Sequence, residues 1–263
     1  MLNILSSPSH EPNPELLEEP RSNREDNIAW LNAHVGRTRQ AKTFLVLVGG
    51  IDPIAFRLRV AQAHARDTFD PGTWSHVFIA APPPFTPSTQ IYEIPLSGIT
   101  GFPPLTNGVQ VGSLRAYRRS SDYPNIALLG LPVPWDETLQ RLNLFATQRA
   151  VLDGLDLIVR WLAFVWGAGR AGNPLLEGFG VPSAAMIEVA MSAAGVDITP
   201  NVPNRASYPE AIWQAAKWWH GQHEERQEFR IAGAFTNKHR FGLKEPDRPL
   251  PFGQSPQRKE QRV

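Results

Sequence analysis

Apolar positions divide the chain into an early half that reads mostly as strands and a later half that reads as helices. Residues 43 to 50, TFLVLVGG, form an unbroken apolar run closed by two glycines, the pattern of a buried strand. The next segment, 53 to 66, carries Ile54, Leu58 and Ala61 at helical spacing, with Ala65 one turn on. A turn at Asp70-Pro71-Gly72 leads into WSHVFIA (74 to 80), which alternates like a strand. TQIYEI (89 to 94) is a second short strand. The Pro-rich link between these two cannot hold a helix, so they are expected to pair as an antiparallel hairpin with a long loop. GVQVGSL (108 to 114) and NIALLGLPV (125 to 133) read as further strands.

Beyond residue 134 the period changes. Residues 135 to 152 place Leu139, Leu142 and Ala146 on one face, with Asp136 and Glu137 at the amino end, where a helix favours negative charge. Residues 155 to 166 are largely apolar around Asp156 and Arg160, and periodicity leaves helix and buried strand both open. Residues 183 to 194 predict a helix with Met186, Val189, Ala190 and Ala193 on one face and Gly195 at its carboxyl end. Residues 207 to 222 predict another, with Pro209 in its first turn. Strands early and helices late imply an α+β fold rather than a doubly wound one.

Composition narrows the setting. A chain of 263 residues with 42% hydrophobic content can bury a real core. Residues 1 to 25, rich in Pro, Glu, Asn and Ser, are expected to form a flexible N-terminal arm. Residues 236 to 263 are expected to form a polar, basic tail, leaving one domain over 26 to 235. A formal net charge of +1 gives no global field that would recommend nucleic acid as a partner. There is no cysteine, which excludes disulfides, thiolate metal sites and a cysteine nucleophile. The opening residues lack a basic start and a sustained apolar run, and no stretch is long enough for a transmembrane segment. The expectation is a soluble, cytoplasmic protein, with secretion by a signal-independent route left open.

Several motifs compete for chemistry. GAGRAG (167 to 172) matches a dinucleotide fingerprint by letter, but Pro174, Gly178, Gly180 and Pro182 follow, so no long helix can present its amino end there and a loop is expected. His220 and His223 stand three apart, yet two ligands do not make a metal site, and a solvated helix end is the better reading; neither a metal nor a cofactor is expected. Trp213, Trp218 and Trp219 could form a stacking platform, but Trp213 lies with Ile212 and Ala216, which favours core packing. His76 is more informative. Inside an apolar strand, an imidazole is either satisfied by hydrogen bonds or used. Glu93 is a plain edge-strand charge or, if the two strands pair, a carboxylate able to reach that imidazole and set its tautomer, the base-plus-orienter half of a catalytic triad. Ser183 is a helix cap after Pro182, worth about 1 kcal/mol, or a reacting atom at a helix amino terminus, where backbone N–H groups favour negative charge.

In order and spacing, WSHVFIA, IYEI and SAAMIEVAMSAAGVDITP together resemble the circularly permuted papain-like amidases of the NlpC type. In that family a strand with an SHV-like signature supplies histidine, the next strand a polar orienter, and a later helix opens with the nucleophilic cysteine. The resemblance covers about residues 43 to 220. It implies a permuted papain-like α+β fold, an antiparallel sheet packed against a helical segment. It also implies His76 as base, Glu93 as third member and Ser183 in the cysteine position, with the backbone N–H groups of Ser183 and Ala184 as an oxyanion hole. The implied substrate is a peptide or acyl compound cleaved at an amide or ester bond.

The departure is the nucleophile, because a serine hydroxyl cannot form the thiolate–imidazolium pair on which a papain-like site depends. Three readings follow: a natural pseudoenzyme, a cysteine-to-serine substitution made by design, or an active serine variant of the hydrolase or acyltransferase. The first makes the chain a non-catalytic binding or scaffold protein, a subunit of a larger assembly with a protein partner. Oligomeric state is not legible.

Overall fold

The computed structural model describes residues 25–38, 41–66, 71–96, 107–147, 151–200, 202–222 and 230–235. The expected basic tail lies outside them, as does the N-terminal arm apart from Glu25.

The architecture is a six-stranded antiparallel sheet with helices on both faces. Its strands are β1 (Thr43–Gly49), β2 (His76–Ala80), β3 (Gln90–Glu93), β4 (Gln110–Ser113), β5 (Asn125–Leu131) and β6 (Arg230–Phe235), in the order β4-β3-β2-β1-β5-β6. The helices are α1 (Asn27–His34), α2 (Pro53–Ala65), α3 (Trp135–Thr147), α4 (Val151–Trp166), α5 (Pro182–Ala193) and α6 (Pro209–Gln222). Among the described residues no helix is long and apolar enough to cross a membrane.

The central strand β1 is buried at every position, as its unbroken apolar run requires. Successive side chains alternate between two cores. Leu45 and Leu47 join Val77, Ile79, Ala127 and Leu129 beneath α2 to α6. Phe44, Val46 and Val48 join Phe78, Ala80, Ile126 and Leu128 against Ile28, Trp30 and Leu31 of α1. The register sets His76 opposite Val48 and Leu47 opposite Val77, which fixes the face of every side chain on β2.

The ambiguous apolar segment is helical. Ile158, Trp161 and Val165 recur at three- and four-residue spacing and are all buried, while Val159 and Arg160 face outward. Strand β2 begins at His76 rather than Trp74, and β4 gives way to a 3-10 turn over Leu114–Tyr117. Two elements carried no sequence expectation, α1 and β6. The helix α1 is nonetheless well specified: Asp26 caps it by accepting from Ala29 N at 2.8 Å. Asn27 Nδ2 donates to the carbonyls of Tyr117 (2.8 Å) and Tyr123 (3.0 Å). That tie holds the segment between β4 and β5 over one end of the sheet.

GAGRAG follows α4, a helix rather than a strand, and leads into a 3-10 turn over Pro174–Glu177. Gly167 and Gly169 have φ of 69° and 63°, so this is turn geometry. Trp213 is buried and packs edge-on against Trp74 at 5.2 Å, whereas Trp218 is 50% exposed. Among the described residues no cluster of three or more His, Asp or Glu could hold a metal ion; His223 lies outside them.

Candidate functional site

His76 and Glu93 meet. The strands β2 and β3 pair antiparallel, with Ile79 opposite Tyr92 and Ala80 opposite Ile91, and both side chains project from the face that α1 covers. His76 Nε2 lies 2.6 Å from Glu93 Oε2. Tyr117 donates its hydroxyl to the same oxygen at 2.5 Å. Its ring stacks on His76, with centroids 5.8 Å apart and planes at 24°. Gly112 makes room for the carboxylate, since a Cβ there would stand 3.0 Å from Glu93 Oε1.

Burial, and secondarily the charge of Glu93, push the Tyr117 phenol well above its ordinary value, so it stays protonated and can act only as donor to the carboxylate. With Nε2–H as the second donor to Glu93, the uncharged form of the ring has its lone pair on Nδ1. No hydrogen bond to Nδ1 occurs among the described residues.

The imidazole lines a small cleft of about 40 Å³ at the carboxyl end of β1. One wall is the first turn of α2, where Asp52 caps the helix by accepting from Ile54 N (2.9 Å) and Ala55 N (3.0 Å). Another is Pro95 and Leu96, just beyond β3, and Tyr117 and Tyr123 complete it. Burial is the main cause, and the charges of Asp52 and Glu93 the next, of a Tyr123 phenol that also titrates above its ordinary value. Ser75 braces the entrance: its hydroxyl donates to Val48 O at 3.1 Å and accepts from Gly50 N at 3.0 Å. Gly49 is required there, because a Cβ would stand 2.2 Å from Thr73 O.

Ser183 is placed elsewhere, which corrects both sequence readings of it. It does not cap α5; Val181 holds the cap position, and no side chain bonds there. It does not meet His76 either. Its hydroxyl donates to Ile94 O at 3.1 Å and accepts from Ile94 N at 2.8 Å, and the residue is 0% exposed. The physical reason is strand alternation. His76 shares a face with Val48 and Phe78, whereas α5 packs through Ala184 and Ile187 against Val77 and Ile79 on the other. Ile94 lies one residue past the end of β3, so the serine stands in for a missing partner strand. Neither Ser183 nor Ala184 lines the cleft, so their backbone N–H groups have no place as an oxyanion hole there.

The structure therefore brings together His76, Glu93 and Tyr117, with Asp52 and Tyr123 in the same cleft. Asp52 had a legible signal, an aspartate directly before Pro53 at a helix start. Tyr117 had none, because a 3-10 turn offers no periodicity.

Comparison of the chain with protein-family models, with curated proteins and with solved structures finds no match.

Proposed function

We propose that this chain is a binding or scaffold protein without covalent catalysis, which uses the cleft beside His76 to hold a ligand or partner group. The observation that carries this reading is the double bond of Ser183 to the Ile94 peptide at zero exposure. A hydroxyl whose proton is committed to a backbone carbonyl in the interior, with no base beside it, is not placed to attack a substrate.

The test is covalent labelling. Incubation of the full chain with a fluorophosphonate, read by intact mass, is expected to leave Ser183 unmodified. A Ser183→Cys variant, folded, is expected to resist iodoacetamide until denatured. Labelling of Ser183 that disappears in His76→Ala would overturn the proposal. Ser183→Ala is expected to cost about 2 kcal/mol in urea unfolding, because Ile94 N–H and C=O are left buried without partners.

The 2.6 Å bond between His76 and Glu93 favours one second reading, a hydrolase in which His76 Nδ1 draws a proton from water rather than from a side chain. Turnover of an amide or ester that is lost in His76→Ala and kept in Ser183→Ala would select it.

A further inference from the structure

We infer that the cleft beside His76 binds a primary alkylammonium group, the chemistry of a lysine side chain or a small free amine. The inference rests on the binding reading above and adds the class of ligand.

Three features point to it. First, the polar groups facing the cleft suit a cation with several N–H donors. Asp52 brings a carboxylate, and an uncharged His76 ring that donates Nε2–H to Glu93 would present an acceptor at Nδ1. Tyr123 adds an acceptor oxygen and an aromatic ring of the kind that attracts cations. No Lys or Arg lines the cleft; Arg59, two turns along α2 from Asp52, is fully buried outside the lining, although its charge and that of Asp52 attract each other. An anion would meet Asp52 across the mouth, with Glu93 behind the imidazole. The helix amino terminus that might have attracted it is already taken by the Asp52 cap.

Second, size selects the group. A volume of about 40 Å³ accommodates about three water-sized groups, an ammonium with the first methylenes of its stem. Third, the remaining lining is apolar. Ile54 and Leu96 offer a path along which a methylene stem can lie while its charged end reaches Asp52.

The experiment is an NMR titration of the full chain, following the His76 ring and the Tyr123 ring. Nα-acetyl-lysine amide and n-butylammonium are the two probes; equal response to both assigns the site to the ammonium alone, and a stronger response to the lysine derivative assigns it to a peptide. Nα-acetyl-norleucine amide, which has the stem without the charge, and tetramethylammonium, which has the charge without the donors, are expected to give no saturable shift. Asp52→Asn is the informative variant, because asparagine caps a helix as well as aspartate and removes only the charge. It is expected to weaken the lysine derivative by about tenfold or more. Norleucine shifting the same resonances as lysine, no shift with either amine, or full binding in folded Asp52→Asn would each overturn the assignment. The first two use the wild-type chain and need no variant. Failure here leaves the labelling result at Ser183 standing, and labelling of Ser183 leaves this titration to be read by itself, so the two claims fail separately.

Discussion

Replacing Trp161 with alanine is expected to lower the free energy of unfolding by about 4 kcal/mol, read from urea denaturation at neutral pH. Trp161 lies on α4, is 0% exposed, and packs against the edge of Phe164 at 5.8 Å. Its indole N–H donates to Gly180 O at 2.6 Å. Gly180 is itself hemmed in: its N–H donates to Arg205 O at 2.7 Å, and a Cβ at this position would stand 2.3 Å from Ser207 O. Val181 N then donates to Ser207 O at 2.9 Å, and α5 begins one residue later. The tryptophan thus fills the core beneath α4 and also anchors the entry to α5. Trp161→Phe separates the two contributions. It keeps most of the packing and leaves the Gly180 carbonyl without its donor, for an expected cost of about 1 to 2 kcal/mol. A loss below about 1 kcal/mol in the alanine variant would mean that the site collapses around the deletion and that the anchor is dispensable.

The second large effect is a dependence of stability on pH that originates at Glu188. This carboxyl is wholly buried on α5. Oε1 accepts from the hydroxyls of Thr199 (2.8 Å) and Ser207 (3.3 Å), while Oε2 has no partner. Burial is the dominant influence and raises it from 4.5 to about 7, against the opposing pull of the two hydroxyls; the charge of Asp197 pushes the same way as burial. Between these values the folded chain holds a proton that the unfolded chain has released. The stability contributed by the neutral acid is therefore full below about pH 4.5, and it declines as pH rises through about 7. The gap corresponds to about 3 kcal/mol. Glu188→Gln keeps the acceptor oxygen for Thr199 and Ser207 and cannot ionise. The difference in unfolding free energy, variant minus wild type, is expected to climb by about 3 kcal/mol between about pH 4.5 and pH 7 and to level off above that. A flat difference across that range would show that Glu188 is ionised, or hydrated, at every pH tested.

Much of the frame is written locally in the chain. TFLVLVGG reads as a strand buried on both faces, and it lies in the interior of the sheet. The pairing of β2 with β3, and with it the meeting of His76 and Glu93, follows from alternation and a loop too Pro-rich for a helix. The apolar run ending at Trp166 resisted reading because apolar residues such as Val159 also stand on its exposed side, which removes the contrast that periodicity needs. Ser183 shows a different limit. Its position at the start of a helix was legible, but which sheet face that helix covers depends on contacts between β2 and residues more than a hundred positions away. Tyr117 enters the site through the bonds of Asn27 to the carbonyls at 117 and 123, a tie between distant segments that no local pattern announces.

The place of β6 in the sheet has a consequence for how the molecule is made. It pairs with β5, yet about a hundred residues, including α3 to α6, separate Leu131 from Arg230. During synthesis the outer edge of β5 must stay open while four helices leave the ribosome and settle onto the other strands. The nascent chain therefore passes through a state in which the β5 margin of its sheet is unprotected, and premature termination before residue 230 would make that state permanent and prone to edge-to-edge association.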